Sequence, residues 1–92
     1  MQVKWHRLAR KDLSSIRAYI AKENPKAAER VAKSIRQAVD SLSDNPSIGR
    51  VGRVLNTREL VVVGTRYIAP YTVAGDVVIV LRVLHGAQSW PP

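Results

Sequence analysis

The side chains through which this chain could do chemistry are two histidines, ten arginines, three tyrosines and seven carboxylates. Cleaving a phosphodiester without a metal needs a base, an acid and positive charge aimed at the phosphate. Arg82 and His85, near the end of an apolar stretch, are the first pair to test against that need. Strand alternation puts Val77, Ile79, Leu81, Val83 and His85 on one face, and Val78, Val80, Arg82 and Leu84 on the other. Arg82 and His85 therefore point to opposite sides unless a bulge re-aims one of them. A single histidine at a strand end is more often a hydrogen-bonded structural residue than a base. His6, between a short strand and a helix, reads as a surface or capping residue.

The other candidates have simple structural readings beside the chemical ones. Glu59 lies between Arg58 and Leu60, where an ion pair with a neighbouring arginine explains it. Tyr67 and Tyr71, four apart, share a face. They could stack on bases or on an arginine, but core packing with the hydroxyls at its edge is the preferred reading. The chain has no cysteine, no histidine cluster and four scattered aspartates, so neither a metal nor a cofactor is expected. Gly49 and Gly52 lack the strand-to-helix turn of a phosphate loop.

The elements that must position these residues belong to one domain, 1–92, with a reading of strand, two helices and three strands. Val3-Lys4-Trp5 is a short first strand. Ala9, Leu13, Ile16 and Ile20, with Tyr19 beside them, form one face of a helix whose other side carries Arg10, Lys11, Arg17 and Lys22. Asn24-Pro25 ends that helix and starts the next, as N-cap and first helical residue. Ala28, Val31, Ile35, Val39 and Leu42 continue over about five turns. The short link forces an antiparallel helical hairpin over about 8–43. Residues 44–56 form an irregular basic loop with Arg50 and Arg53, and Arg58 follows just after it. An antiparallel meander spans about 57–85, turning at Gly64-Thr65, which suits a type II′ hairpin, and at Ala74-Gly75-Asp76. The tail 86–92 is expected to fold back through Trp90-Pro91-Pro92. The architecture predicted is an α+β two-layer sandwich, β-α-α-β-β-β, with the hairpin on an antiparallel sheet.

The charge points to an anionic partner. Fifteen Lys and Arg against seven Asp and Glu give +8, and ten of the fifteen are arginine, whose planar fork grips phosphate and carboxylate at two points. There is no signal-peptide apolar segment at the start and no run long enough to span a bilayer, so a reducing cytoplasm is the expected location.

The order and spacing of several pieces resemble the ParE/RelE superfamily of bacterial toxins. They are Ala9, Asp12-Leu13, Ile16 and Tyr19-Ile20; Asn24-Pro25 with Ala27-Ala28; Ile35 and Leu42; and Asn45-Pro46 with Gly49-Arg50. Thr57-Arg58-Glu59-Leu60-Val61, Tyr67…Tyr71, Val83 to Gln88 and Trp90-Pro91 complete the match over nearly the whole chain. The resemblance implies the toxin of a type II toxin–antitoxin pair, neutralised by an acidic antitoxin encoded beside it. Charge places antitoxin contacts at Arg10, Arg17 and Arg30 of the hairpin and Arg50 and Arg53 of the loop. The family divides into ParE-like members that poison DNA gyrase, block growth and stabilise plasmids, and RelE-like members that cut messenger RNA on the ribosome. A nuclease here would draw on Arg66, Tyr71, Arg82 and His85. A gyrase poison would meet its target through Arg50, Arg53, Arg58, Arg66, Arg82 and Trp90. Gly86 stands where nuclease members tend to carry an aromatic residue, and Ile68-Ala69 where an arginine would precede Tyr71. With the long hairpin and the Trp90-Pro91 ending, these place the chain nearer the ParE side. A third expectation is a member without toxicity that acts only in a repressor complex.

Overall fold

A computed structural model describes residues 1–91. Strand β1 (Gln2–Trp5) leads into helix α1 (Arg7–Ala21) through His6, whose Nδ1 accepts the Leu8 N–H at 3.0 Å. That bond satisfies one of the free amides of the first turn, so His6 is a cap. Asn24 does the same for helix α2 (Pro25–Asp40): its Oδ1 accepts from Ala27 N–H at 3.0 Å, and Pro25 opens the helix. The last turn, expected to run on to Leu42, tightens into a 3-10 turn over Ser41–Ser43 that buries Leu42. The helices fold back on each other as a hairpin. Ala28, Ala32, Ile35 and Val39 form the buried stripe of α2, and Ala9 is the fully buried residue of α1. Tyr19, expected beside the α1 stripe, is instead 72% exposed.

Five more strands follow: β2 (Arg50–Val51), β3 (Arg58–Val61), β4 (Tyr67–Ala74), β5 (Val77–Val80) and β6 (Leu84–His85). Their order is β1-β5-β4-β3-β2, with β6 also paired to β4. The meander is antiparallel, but β1 joins β5 in parallel, Gln2 opposite Val77 through Trp5 opposite Val80, so the sheet is mixed. The helical hairpin is the crossover that a parallel pair requires. The stretch read as irregular loop contains the two-residue β2, which pairs Arg50 with Glu59 and Val51 with Arg58. The type II′ geometry belongs to the second hairpin, not the first. There Gly75, at φ 61, opens a two-residue turn between Ala74 and Val77. In the first, Gly64 (φ 81) is the third residue of a turn closed by Thr65 N–H on Val62 O, the place where type II turns take glycine.

The last strand is not continuous. Tyr71 opposes Val80, yet Ile68 opposes Leu84, so Leu81-Arg82-Val83 face only Ala69-Pro70 and one residue is extra. Pro70 explains the position. Its carbonyl accepts from Leu81 N–H at 2.8 Å, but it has no N–H to return, so the regular ladder stops there. The bulge moves Val83 to the helix side, where it is buried with Ile35 and Val62. Asp12 of α1 holds it: Oδ2 accepts from Arg82 Nε at 2.7 Å and from Val83 N–H at 3.0 Å, while Oδ1 accepts from Arg82 Nη2 at 3.0 Å.

The helices cover one sheet face through Ala9, Val39 and Leu42 on Leu60, Ala69, Tyr71, Val78 and Val80. By register, Glu59, Ile68, Pro70, Thr72 and Leu84 face the other way. The β2–β3 loop folds over that second face, with Thr72 Oγ1 donating to Asn56 O at 2.9 Å and Arg53 N–H donating to Glu59.

Asp12→Asn should destabilise the fold by about 1–3 kcal/mol, because Arg82 loses its charged partner in a half-buried site. Urea unfolding would show a lower midpoint with an unchanged slope; an unchanged midpoint would remove Asp12 from the bulge's support.

Candidate functional site

The arginines collect in four places. At the β2 end of the sheet, Glu59 is 1% exposed and takes three donors. Arg50 Nη2 reaches Oε1 at 3.2 Å, and Arg53 reaches Oε2 through its backbone N–H at 2.9 Å and its Nε at 3.4 Å. Burial alone raises the Glu59 pKa. The Arg53 amide, the Arg50 hydrogen bond and both positive charges together outweigh that and hold it below its ordinary 4.5. Beside it, Arg58 Nη1 donates to Gly49 O at 2.8 Å. Tyr71, fully buried, donates its hydroxyl proton to Pro46 O and accepts from Gly49 N–H, both at 2.8 Å. Gly49 is required there: a Cβ would lie 2.6 Å from the Tyr71 ring.

At the β3–β4 end, Arg66 is exposed, and its carbonyl accepts Gly86 N–H at 2.7 Å. His85 stands opposite Tyr67, their rings edge to face with centroids 5.9 Å apart. At the bulge, Arg82 is committed to Asp12, a bond that raises its pKa against the lowering effect of burial. Trp90 folds back to line a cavity of about 270 Å³ with His6, Leu8, Leu81 and Arg82. Pro92, part of the expected fold-back, lies outside the described residues.

The fourth place is the helical hairpin. A groove of about 370 Å³ opens there, with Trp5 and Leu13 as its apolar floor and Arg10, Arg17 and Arg36 around it. Arg10 donates to Trp5 O at 2.9 Å, and Arg17 pairs with Glu29 at 2.9 Å in the open. Arg30 is exposed on α2.

The structure therefore brings Arg50, Arg53 and Arg58 to one end of the sheet, and the Arg66 backbone to the His85 segment at another. It places Tyr71 with the first group, opposite Arg58 and on the same Gly49, and sets Arg82 apart on Asp12. Arg36, Trp5 and Leu13 of the groove were not among the residues expected to act. Neither was Asp12, although an acid between Ala9 and Ile16 on an otherwise apolar helix face is a visible signal. Among the described residues there is no cluster of His, Cys, Asp or Glu fit to hold a metal, and no helix long and apolar enough to cross a membrane.

A basic hairpin-on-sheet domain with an open apolar groove and surface arginines has the form of a small protein suited to an anionic, partly apolar partner. The family model for the ParE toxin of the type II toxin–antitoxin system parDE matches residues 3–90, and the chain belongs to that family, within the ParE/RelE superfamily. It is 46% identical over 90 residues to a putative toxin, Y4kP, of Sinorhizobium fredii, covering 98% of this chain and 93% of that one. It is 41% identical over 87 residues to toxin RelE2 of Caulobacter vibrioides, covering 95% and 97%. Among solved structures, a chromosomal ParDE system from P. aeruginosa superposes with a TM-score of 0.85 at 28% identity, covering 92% of this chain and 95% of that one. The toxin–antitoxin complex RelBE2 from Mycobacterium tuberculosis gives 0.61 at 25%, covering 95% and 92%.

The depressed Glu59 pKa carries a pH signature. Its stabilisation is complete above 4.5 and is lost as pH falls through the lower folded value. Glu59→Gln should cost about 1–3 kcal/mol at neutral pH, and the gap from wild type should narrow towards pH 3. Urea titrations at both pH values test this; a gap that stays constant would mean that the Glu59 charge contributes nothing.

Proposed function

We propose that this toxin is a ParE-like poison of DNA gyrase that blocks replication by holding the enzyme on cleaved DNA, without a catalytic centre of its own. The observation that carries the reading is the dispersal of the would-be nuclease set. Tyr71 is enclosed with its hydroxyl engaged twice, Arg82 is bound to Asp12, and Arg66 meets the His85 segment only through its carbonyl on Gly86 N–H. General acid–base cleavage needs those groups within reach of one phosphate. The match to the ParE family model supports the same side.

One arrangement favours the runner-up, a ribosome-dependent endonuclease. Arg66, Tyr67 and His85 share one end of the sheet, and a relative at 41% identity carries the name RelE2. In either case the partner proposed for the hairpin groove is a flexible acidic antitoxin segment. Its apolar side would lie on Trp5 and Leu13, and its carboxylates would face Arg10, Arg17 and Arg36, with Arg30 at the margin of the wrap; Arg50 and Arg53, at the far edge of the sheet, are left to the target. The proposed location is the cytoplasm, where both targets reside.

A supercoiling assay with purified gyrase tests the reading. The toxin freed of its antitoxin should stop supercoiling and trap cleaved DNA, and His85→Ala should keep potency within about tenfold. Unaffected gyrase, together with messenger cleavage that His85→Ala abolishes, would overturn it.

A further inference from the structure

The β2 end of the sheet carries a feature that neither charge nor family explains. Val51 is 82% exposed and Leu55 86%, although both are large aliphatic side chains. Val51 and Val73, the latter 41% exposed, line one groove with Arg58, Asn56 and Thr57. Leu55 sits on the loop beside it. Arg50 and Arg53 flank Val51 and share a single buried carboxylate, Glu59, while Arg58 lines the groove and donates to Gly49 O.

The segment that presents them is firmly held. Arg53 N–H is bound to Glu59, Thr72 Oγ1 to Asn56 O, and Gly52 N–H to Thr57 O at 2.9 Å. Thr57 Oγ1 donates to Val54 O at 2.6 Å, and Asn56 adopts a left-handed φ of 64. A non-glycine residue in that region is strained, and asparagine tolerates it best. A loop pinned this way cannot fold Val51 and Leu55 inward. Large apolar side chains held in water on a fixed scaffold mark an interaction surface, and a preorganised one loses little entropy on binding.

We infer that this apolar patch with its arginine rim is the surface by which the toxin grips its target, a folded protein presenting an apolar pocket edged by carboxylates. The inference rests on the proposed function insofar as the target is a protein. Nucleic acid fits less well, because a phosphate backbone offers Val51 and Leu55 no apolar partner. A second copy of the chain fits less well too, since two patches would oppose arginine to arginine on chains of +8 each. The antitoxin has the groove at Trp5, in β1, and β1 and β2 are the opposite ends of the main strand order, about 19 Å apart at four strand spacings. The two surfaces can be occupied independently.

The experiment uses the full chain carrying Val51→Asp, Leu55→Asp or both, with the near-isosteric Val51→Thr as the milder variant should the acidic ones fold poorly. Growth inhibition, gyrase poisoning and antitoxin affinity are read in parallel. The expected result is a loss of growth inhibition and of potency on gyrase of about tenfold or more, with antitoxin affinity within about twofold of wild type. Full toxicity in a folded double variant would overturn the inference. So would an equal loss of antitoxin affinity, which would give the patch to the antitoxin, or a wild-type dimer that the variants dissociate. If wild type leaves gyrase untouched while the variants still lose growth inhibition on another protein target, the gyrase reading fails and this surface stands. Messenger cleavage that the variants leave intact would sink both.

Discussion

One carboxylate, Asp12, decides which way the end of the sheet faces. It stands on α1, yet its three bonds go to Arg82 and Val83, seventy and seventy-one positions away. Those bonds satisfy the donors that a break in the ladder leaves free. With the bulge in place, Val83 enters the core, His85 meets Tyr67, and Leu81 and Arg82 become the wall against which Trp90 docks. Without it, strict alternation would carry Val83 and His85 to the back face and bring Arg82 into the apolar interior under the helices. A charge there without a partner is the costlier arrangement. The bulge is thus a consequence of Pro70 on one strand and a solvable burial problem on the next.

Glu59 performs the corresponding task at the other edge. Both carboxylates bind an arginine and a backbone N–H, but Asp12 joins elements far apart in sequence whereas Glu59 ties β3 to the loop just before it. They differ in exposure of the cations. Arg82 is 22% exposed and has little left to offer a partner, whereas Arg50 and Arg53 remain 56% and 40% exposed. The same ion pair that fixes the loop therefore leaves two guanidinium faces on the surface. Charge alone could not separate these cases, since the three arginines read alike until burial is known.

Local rules carried most of the fold. Asn24-Pro25, the 3-4 spacing on both helices and the glycine turns follow from capping, periodicity and backbone freedom, all of which act within a few residues. The bland readings of His6 as a cap, of Glu59 as an ion-pair partner and of Tyr71 as a core residue hold for the same reason. What escaped depended on long-range geometry. The parallel placement of β1 is set by the hairpin crossover, and the two-residue β2 exists only because β3 is there to pair with it. The bulge had a local mark in Pro70, a residue without an N–H in mid-strand. The exposure of Val51 and Leu55 had none, because an apolar residue in a loop looks the same whether it turns inward or out.

The choice between cutting RNA and gripping a protein turns on which groups are free. A catalytic set must present unengaged atoms to one reacting phosphate. The Tyr71 hydroxyl already donates to Pro46 and accepts from Gly49, so recruiting it would release the loop that Arg58 also holds. Two donors of the Arg82 guanidinium are filled by Asp12, and withdrawing them would undo the bulge that positions His85. Tyr71 and Arg82 are thus both part of the fold's own support, which is a poor arrangement for chemistry that must make and break bonds at every turnover. Binding a folded partner asks for the reverse: side chains fixed in place by interactions behind them. Glu59, Tyr71 and Asn56 supply that fixation to the stretch of chain that holds Val51 and Leu55 out in water.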